Sequence, residues 1–167
     1  MKSDIYLFHQ TPEELCKILL KEVPFEDGDR VLEPFKGEGA FYNNFPDNVV
    51  KDWTEIEEGR DFKDYNEPID WVVSNPPFRL ETGKKRVNSF YYLLEYYLSR
   101  VTKGVCFLAN DKCFSALTPK RLKAMNEKGF YLTRIIVCNI KKWRGRYFFI
   151  LFTKADTKMY TYLEGSY

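Results

Sequence analysis

Two short segments with strand character, each ended by turn-forming residues, constrain the fold of this chain more than any other feature. Residues 30–33 end in Glu33 and continue as Pro34-Phe35-Lys36-Gly37-Glu38-Gly39. Residues 69–74 continue directly as Asn75-Pro76-Pro77-Phe78. Short segments with such abrupt ends indicate buried β-strands. Ligands bind where the carboxyl ends of parallel strands meet, so both motifs are predicted to lie at one binding edge.

Helices are predicted at three places. Thr11-Pro12, with Glu14 three residues after Thr11, is typical of a helix start in which Thr11 is the cap. Residues 88–101 predict a second helix, because apolar side chains recur there on one side. Thr118-Pro119 begins a third helix, which Gly129 ends.

Further strands are predicted at residues 49–55, 105–108, 135–140 and 147–153. The last two flank a turn that contains Gly145 and therefore predict a hairpin. Strands that alternate with helices and close with a hairpin predict an α/β fold, with a mostly parallel sheet and an antiparallel edge. The length favours one domain over residues 1–167.

The composition is that of a folded domain, with 44% hydrophobic and 30% charged residues. The apolar run at residues 147–152 is far shorter than the roughly 18 residues that a membrane span needs. The amino terminus has no apolar signal segment. Four scattered cysteines and the single histidine, His9, argue against a zinc site and a disulfide framework. We therefore expect a soluble cytoplasmic protein without metal or membrane contact.

The charge is divided between the two halves of the chain. Residues 1–78 hold 8 basic and 18 acidic side chains, a net charge of −10, whereas residues 79–167 hold 18 basic and 6 acidic ones, a net charge of +12. Such asymmetry favours nucleic-acid contact by the basic half. Segregation of ordinary surface charge explains it equally well when it is taken alone.

The Asn-Pro-Pro-Phe motif (residues 75–78) suits one reaction in particular. An exocyclic amino group of a nucleobase is a poor nucleophile, because its lone pair is delocalised into the ring. The amide oxygen of Asn75 and the backbone carbonyl of Pro76 could accept its hydrogens and stabilise the positive charge that develops on nitrogen. Phe78 would stack on the base, an interaction of about 1–3 kcal/mol.

The two motifs and their order resemble the S-adenosylmethionine-dependent amino-methyltransferases. The resemblance is closest to the N6-adenine enzymes of gamma order, in which the cofactor motif precedes the Asn-Pro-Pro-aromatic motif, and it covers most of the chain. It implies a Rossmann-like class I methyltransferase fold with a seven-stranded sheet, in which residues 146–152 form the last antiparallel strand. It also implies that Asn75, Pro76, Pro77 and Phe78 form the catalytic motif.

The resemblance further implies how the cofactor is held. Thr11, within residues 8–12, would help to bind its methionine end, although helix capping alone also accounts for this residue. Glu55 would bind the ribose hydroxyls, Asp61 would accept a hydrogen bond from the adenine amino group, and Phe62 would pack nearby. A solvated acidic surface is the alternative for both acids. The methionine-binding loop would be formed by Glu33, Pro34, Phe35, Gly37 and Gly39.

The sequence departs from this pattern in two respects. Five residues separate Glu55 from Asp61, too few for the helix that normally joins the second and third strands, so the sheet is expected to be trimmed there or one of the two assignments is misplaced. No segment corresponds to a target-recognition domain. Specificity would then be loose, the substrate would be single-stranded or RNA, or a partner protein or second copy would supply recognition.

The sequence therefore predicts a methyltransferase that acts on the N6 amino group of adenine in nucleic acid, with DNA favoured and the target base unstacked. Alternatives within the class are RNA adenine, cytosine N4 and guanine N2, with protein glutamine the least favoured. A non-catalytic subunit of the same fold that binds nucleic acid is the alternative from another class. The candidate phosphate contacts are Arg79, Lys84, Lys85, Arg86, Lys141, Lys142, Arg144 and Arg146.

Overall fold

The computed structural model describes residues 10–82, 85–155 and 159–161, and the side chains at 81–82 and 85–87 fall outside this description. Its helices are α1 (Glu13–Leu20), α2 (Ser89–Leu98), α3 (Lys112–Ala116) and α4 (Pro119–Glu127). Its strands are β1 (Arg30–Glu33), β2 (Val50–Trp53), β3 (Ile69–Ser74), β4 (Arg79–Thr82), β5 (Lys85–Asn88), β6 (Val101–Asn110), β7 (Tyr131–Cys138) and β8 (Tyr147–Thr153).

The main sheet has the strand order β2-β1-β3-β6-β8-β7. Strands β2, β1, β3 and β6 are parallel, and β8 runs antiparallel to its neighbours β6 and β7. The predicted α/β class, the mostly parallel sheet and the closing antiparallel hairpin are confirmed. β1 and β3 have the predicted bounds, because a proline or asparagine ends each apolar strand at once.

The sheet in the described part of the chain has six strands, not the seven that the resemblance implied. The sheet ends at β2 on this side, in the region where the sequence predicted that it would be trimmed. A one-turn 3-10 helix (Ile56–Glu58) occupies the connection, and Gly59 reverses the chain with a φ of +76°. Glu55 and Arg60 then form an isolated antiparallel bridge. So short a connection has no room for a helix and a strand.

Three local predictions were wrong or incomplete. The sequence shows only a polar stretch at residues 79–87, but Arg79–Thr82 and Lys85–Asn88 pair as the antiparallel strands β4 and β5. Helix α1 begins at Glu13, with Pro12 at its cap position, and no side chain caps it, so Thr11 is not a capping residue. Helix α3 was not predicted, because five residues are too few to carry a helical pattern.

Two buried clusters lie on opposite faces of the sheet. Val72 of β3 packs with Leu93 of α2 in one cluster, and Val73 packs with Leu19 of α1 in the other. This alternation follows from the two-residue period of a strand. The sheet is therefore covered by α1 on one face and by α2 on the other. Among the described residues, no helix has the length and apolar character to cross a membrane.

Candidate active site at the carboxyl edge of the sheet

Thr54 connects the carboxyl ends of β1 and β2. Its N–H donates to the carbonyl of Glu33 at 3.0 Å, and its hydroxyl donates to the carbonyl of Pro34 at 2.7 Å. Its carbonyl accepts from the Lys36 N–H at 3.1 Å. Thr54 is buried, so these bonds compete little with water. Sequence reasoning missed this residue, because it placed Thr54 inside the strand predicted at residues 49–55, whereas β2 ends at Trp53.

The glycine loop (residues 34–39) turns sharply after β1. Gly37 and Gly39 have φ values of +53° and +86°, a region that favours glycine. The Gly39 N–H donates to the carbonyl of Lys36 at 2.8 Å. A Cβ atom at position 39 would lie 2.9 Å from Nδ2 of Asn43. Gly39 is buried and packs closely against Asn43, so a side chain at this position would displace its neighbour.

Glu33 is a buried acid at the base of the glycine loop, with 3% of its surface exposed. Its Oε2 accepts a hydrogen bond from the Tyr42 N–H at 2.6 Å. Burial raises the pKa of Glu33 well above its ordinary value, the Tyr42 amide and Lys36 lower it in part, and nearby Glu55 raises it further. The site thus holds a carboxyl group that a cationic ligand would favour in its ionised form.

The structure brings two predicted cofactor residues, Glu55 and Phe62, to the glycine loop. Oε2 of Glu55 accepts a hydrogen bond from the Gly37 N–H at 2.8 Å. The rings of Phe35 and Phe62 lie 5.3 Å apart, and Phe62 is buried. Asp61 stands directly before a 3-10 helix, where its Oδ1 accepts from the Lys63 N–H at 3.0 Å.

A cluster around Trp53 stabilises the short connection after β2. The ammonium of Lys36 lies 3.6 Å from the centre of the Trp53 ring, and the guanidinium of Arg60 lies 4.2 Å from it. Lys36 pairs with Glu58 at 2.6 Å, and Arg60 pairs with Asp52 at 2.9 Å. Glu58 and Asp52 lie in the same acid-rich region as Glu55 and Asp61, for which a solvated surface was the alternative. Both nevertheless form ion pairs with basic side chains.

The Asn-Pro-Pro-Phe motif follows β3 at the same edge. Nδ2 of Asn75 donates a hydrogen bond to the Thr11 hydroxyl at 3.3 Å, and Thr11 is 5% exposed. The sequence placed these two residues in different roles and gave no sign of their contact. The structure therefore brings the predicted amino-terminal cofactor segment against the predicted catalytic amide.

Ser89, at the start of α2, holds the second half of the motif. Its hydroxyl donates to the carbonyl of Pro77, and its N–H donates to the carbonyl of Phe78 at 3.3 Å. Ser89 and Pro76 are buried, whereas Phe78 is 42% exposed. The backbone of the motif is thus fixed from α2, while an aromatic ring remains accessible beside it.

A cleft of about 1000 Å³ lies beside the glycine loop. Its walls include Thr11, Gly39 and Asn43, together with Lys141, Lys142 and Trp143 of the basic loop (residues 139–146). Of the other predicted phosphate contacts, Arg79, Arg144 and Arg146 are exposed. Lys84 lies outside the described residues, as do Phe8 and His9, and Lys85 and Arg86 are described on β5 by backbone only.

The four cysteines are buried free thiols. Burial raises the pKa of Cys16 and of Cys113 to about 12, which disfavours the reactive thiolate. Within the described ranges, no three histidine, cysteine or acidic side chains are grouped as metal ligands.

Neither a protein-family model nor a curated protein matches this chain. Solved structures do. A Listeria monocytogenes protein assigned as a class I S-adenosylmethionine-dependent methyltransferase superposes with a TM-score of 0.65 at 14% identity, over 92% of this chain and 62% of its own. The chain has the Rossmann-like class I methyltransferase fold. That likeness concerns the fold, since so few residues are identical.

Two further neighbours are assigned to different systems. One, from Vibrio vulnificus, is assigned as the modification subunit of a type I restriction enzyme, with a TM-score of 0.63 and 12% identity over 87% of this chain and 44% of its own. The other, from Pyrococcus horikoshii, is assigned as an RNA methyltransferase, with a TM-score of 0.61 and 18% identity over 87% and 85%. This chain spans less than two thirds of the Listeria and Vibrio proteins.

Proposed function

We propose that this protein transfers the methyl group of S-adenosylmethionine to the N6 amino group of adenine in nucleic acid, with DNA as the favoured substrate. The observation that carries the proposal is the position of Asn75, at the carboxyl end of β3 and in contact with Thr11, in a fold shared with methyltransferases. The motif that follows Asn75 supplies a backbone carbonyl and an accessible aromatic ring at the same edge.

The residues at this edge fit the proposed cofactor. Its methionine part carries an ammonium, and a buried carboxyl such as Glu33, with its raised pKa, is stabilised in its ionised form by such a cation. The glycine loop offers backbone at a point where a Cβ would meet Asn43. Carboxylates and a buried ring suit the ribose hydroxyls and the adenine. The residues that would hold the cofactor are Thr11, Glu33, Pro34, Phe35, Gly37, Gly39, Glu55, Asp61 and Phe62.

The catalytic contribution of the protein lies in how it binds the substrate amino group. When bound, the cofactor supplies an electrophilic methyl group on a sulfonium. The amide oxygen of Asn75 and the carbonyl of Pro76 would accept hydrogen bonds from the two N–H groups of the substrate amino group. These bonds would stabilise the positive charge that develops on its nitrogen. Phe78, 42% exposed, would stack on the base. Holding both reactants in line removes much of the entropic barrier.

Nucleic acid would bind through the basic half of the chain. Lys141 and Lys142 line the cleft beside the glycine loop, and Arg79, Arg144 and Arg146 are exposed. Such side chains neutralise phosphates and release counterions. The target adenine must leave its stack to reach Asn75. We further propose that target recognition is loose or comes from a partner protein or a second copy.

The test is methyl transfer from labelled S-adenosylmethionine to separate pools of duplex DNA, single-stranded DNA and RNA, followed by digestion and mass spectrometry of the nucleosides. We expect N6-methyldeoxyadenosine with wild-type protein. Asn75→Ala should lower the rate by at least about 100-fold, because one charge-stabilising contact is lost, while cofactor affinity stays nearly unchanged. The matched control is Asn48→Ala, an exposed asparagine that pairs with Asp27 outside the site.

Other results of this experiment would change the proposed substrate or the proposed catalytic role. N6-methyladenosine in RNA, N4-methylcytosine or N2-methylguanosine would replace the substrate and keep the reaction type. Near-normal turnover by Asn75→Ala would contradict the catalytic role of the motif. An intact fold that fails to bind the cofactor would favour the non-catalytic subunit.

A further inference from the structure

Thr11 joins the beginning of α1 to the Asn-Pro-Pro-Phe motif. Its hydroxyl oxygen accepts the hydrogen bond from Nδ2 of Asn75 at 3.3 Å, between residues that are 64 positions apart in the sequence. Because Thr11 is 5% exposed, water competes little for this bond. Thr11 does not cap its helix, so its hydroxyl has a long-range role instead of a local one.

The packing of α1 fixes this contact. Cys16 of α1 packs with Trp71 and Val73 of β3 in one buried cluster. Side chains alternate between the two faces of a strand, so Asn75, two residues after Val73, continues on the face that α1 covers. The start of α1 therefore stands over the catalytic amide as a consequence of core packing.

In this hydrogen bond the Asn75 amide turns its Nδ2 toward Thr11, so that its Oδ1 faces away from Thr11. The terminal torsion of an asparagine is broad, so an unrestrained amide rotates readily. With Nδ2 held by Thr11, Oδ1 lies on the opposite side of the planar amide. A reversed amide would turn its N–H donors toward the substrate amino group, which needs an acceptor.

We propose that Thr11 is a positioning residue that keeps the Asn75 oxygen turned toward the substrate amino group. This inference rests on the proposed function. The Thr11 hydroxyl accepts from Asn75 and retains its own proton for another acceptor. The same residue thus serves the catalytic amide and the methionine end of the cofactor, and it couples the two halves of the site.

The first test is spectroscopic and uses the ligand-free protein. The side-chain amide signal of Asn75 is identified in a nitrogen-proton NMR spectrum by its loss in Asn75→Ala. Thr11→Val, which removes the hydroxyl and keeps the shape, should shift this signal, whereas Thr11→Ser should leave it near its wild-type position. The control is Thr133→Val on β7, which removes a hydroxyl that contacts Thr153 at 3.0 Å.

The second test separates positioning from cofactor binding. Single-turnover rates are measured at saturating S-adenosylmethionine on the nucleic acid that wild-type protein modifies, and cofactor Kd is measured by calorimetry. Thr11→Val should lower the saturated rate by about tenfold, as expected for one hydrogen bond. Thr11→Ser should restore most of that rate, and Thr133→Val should match wild type. Thermal unfolding identifies any variant that fails to fold.

Two results would overturn the inference. One is an Asn75 amide signal that does not move in Thr11→Val. The other is an unchanged saturated rate with only the cofactor Kd altered, which would leave Thr11 as a cofactor contact. Failure of the proposed function has a different signature, since wild-type protein would then modify no pool. That result overturns the catalytic part of the inference, while the amide signal still reports the contact.

Discussion

Two buried acids lie at opposite ends of β1, and they differ in how many hydrogen-bond partners the protein gives them. Asp29, just before the strand, accepts hydrogen bonds from Trp71 Nε1 at 2.9 Å and from Lys103 Nζ at 2.7 Å, as well as from a backbone amide. Glu33, at the other end, accepts from the Tyr42 amide and has Lys36 at longer range. Both are nearly inaccessible to water, with 5% and 3% of their surface exposed.

The surroundings move their pKa values in opposite directions. Burial raises the pKa of Asp29, but Lys103, the Glu26 amide and Trp71 outweigh it, so the pKa lies below its ordinary value. Burial dominates at Glu33, and its pKa is raised. Asp29 is satisfied by the protein itself and therefore stabilises the fold. The Tyr42 amide and Lys36 stabilise the charged form of Glu33 only in part, so a cationic ligand would stabilise it further, as expected of a ligand-binding acid.

The largest effect in this comparison is expected from Asp29→Ala. The substitution leaves Trp71 Nε1 and Lys103 without their shared partner, and such losses lower the free energy of unfolding by about 3 kcal/mol. The measurement is chemical denaturation. Asp27→Ala, an exposed acid two residues away, is the control and should cost less than about 1 kcal/mol. Equal losses in the two variants would mean that Asp29 is not a structural acid.

Glu33→Gln should affect binding and not folding. Glutamine preserves the size of the side chain and can still accept from the Tyr42 amide, but it cannot pair with a cation. Loss of a charge-assisted hydrogen bond lowers affinity for S-adenosylmethionine by roughly 10- to 100-fold, measured by calorimetry. The free energy of unfolding of the ligand-free variant should equal or exceed that of wild type. Wild-type affinity in this variant would remove Glu33 from the proposed site.

The raised pKa of Glu33 predicts how stability and cofactor affinity change with pH. Because the pKa of Glu33 is raised in the folded protein, the native state holds a proton that the unfolded state has released, and stability falls as pH rises through that interval. Glu33→Gln removes this fall, so the free energy of unfolding of the variant should increase relative to that of wild type as pH rises. Cofactor affinity of wild type should instead rise with pH, as Glu33 ionises. Asp29 acts oppositely, because its contribution to stability is lost as pH falls through its lowered pKa.

Features fixed by local sequence were predictable. The bounds of β1 and β3 follow from apolar residues that end at proline or asparagine, and the trimmed sheet follows from the five residues between Glu55 and Asp61. The β4–β5 hairpin was missed because its strands are polar and lack the alternation of a half-buried sheet. Local polarity indicates a loop even where strands pair.

Features that depend on distant contacts could not be predicted. The Thr11–Asn75 hydrogen bond requires α1 to pack on β3, and the local pattern around Thr11 suggested helix capping instead. Glu33 was predicted as a site residue from its motif, but its raised pKa results from burial by the whole fold. Sequence thus identified candidate chemistry, whereas electrostatics and orientation needed the three-dimensional arrangement.

The smallest expected effect comes from a pair of glycines, one near each acid. Gly28, beside Asp29, has a φ of +81°, and a Cβ there would meet no atom within 4 Å. Gly39, in the glycine loop, has a φ of +86°, and its Cβ would lie 2.9 Å from Asn43 Nδ2. Each change to alanine should lower the free energy of unfolding by about 1 kcal/mol, because both positions need left-handed backbone.

The two variants should differ in cofactor binding. Gly28→Ala adds a methyl group to open space away from the carboxyl edge and should keep wild-type Kd, whereas Gly39→Ala must displace Asn43 or shift the loop. The double variant Gly39→Ala with Asn43→Ala isolates the cause, since recovery of affinity there assigns the loss to the clash and not to the backbone. Equal Kd values for wild type, Gly28→Ala and Gly39→Ala would mean that the cofactor does not lie against Gly39. The binding role of this end of β1 would then rest on Glu33 alone.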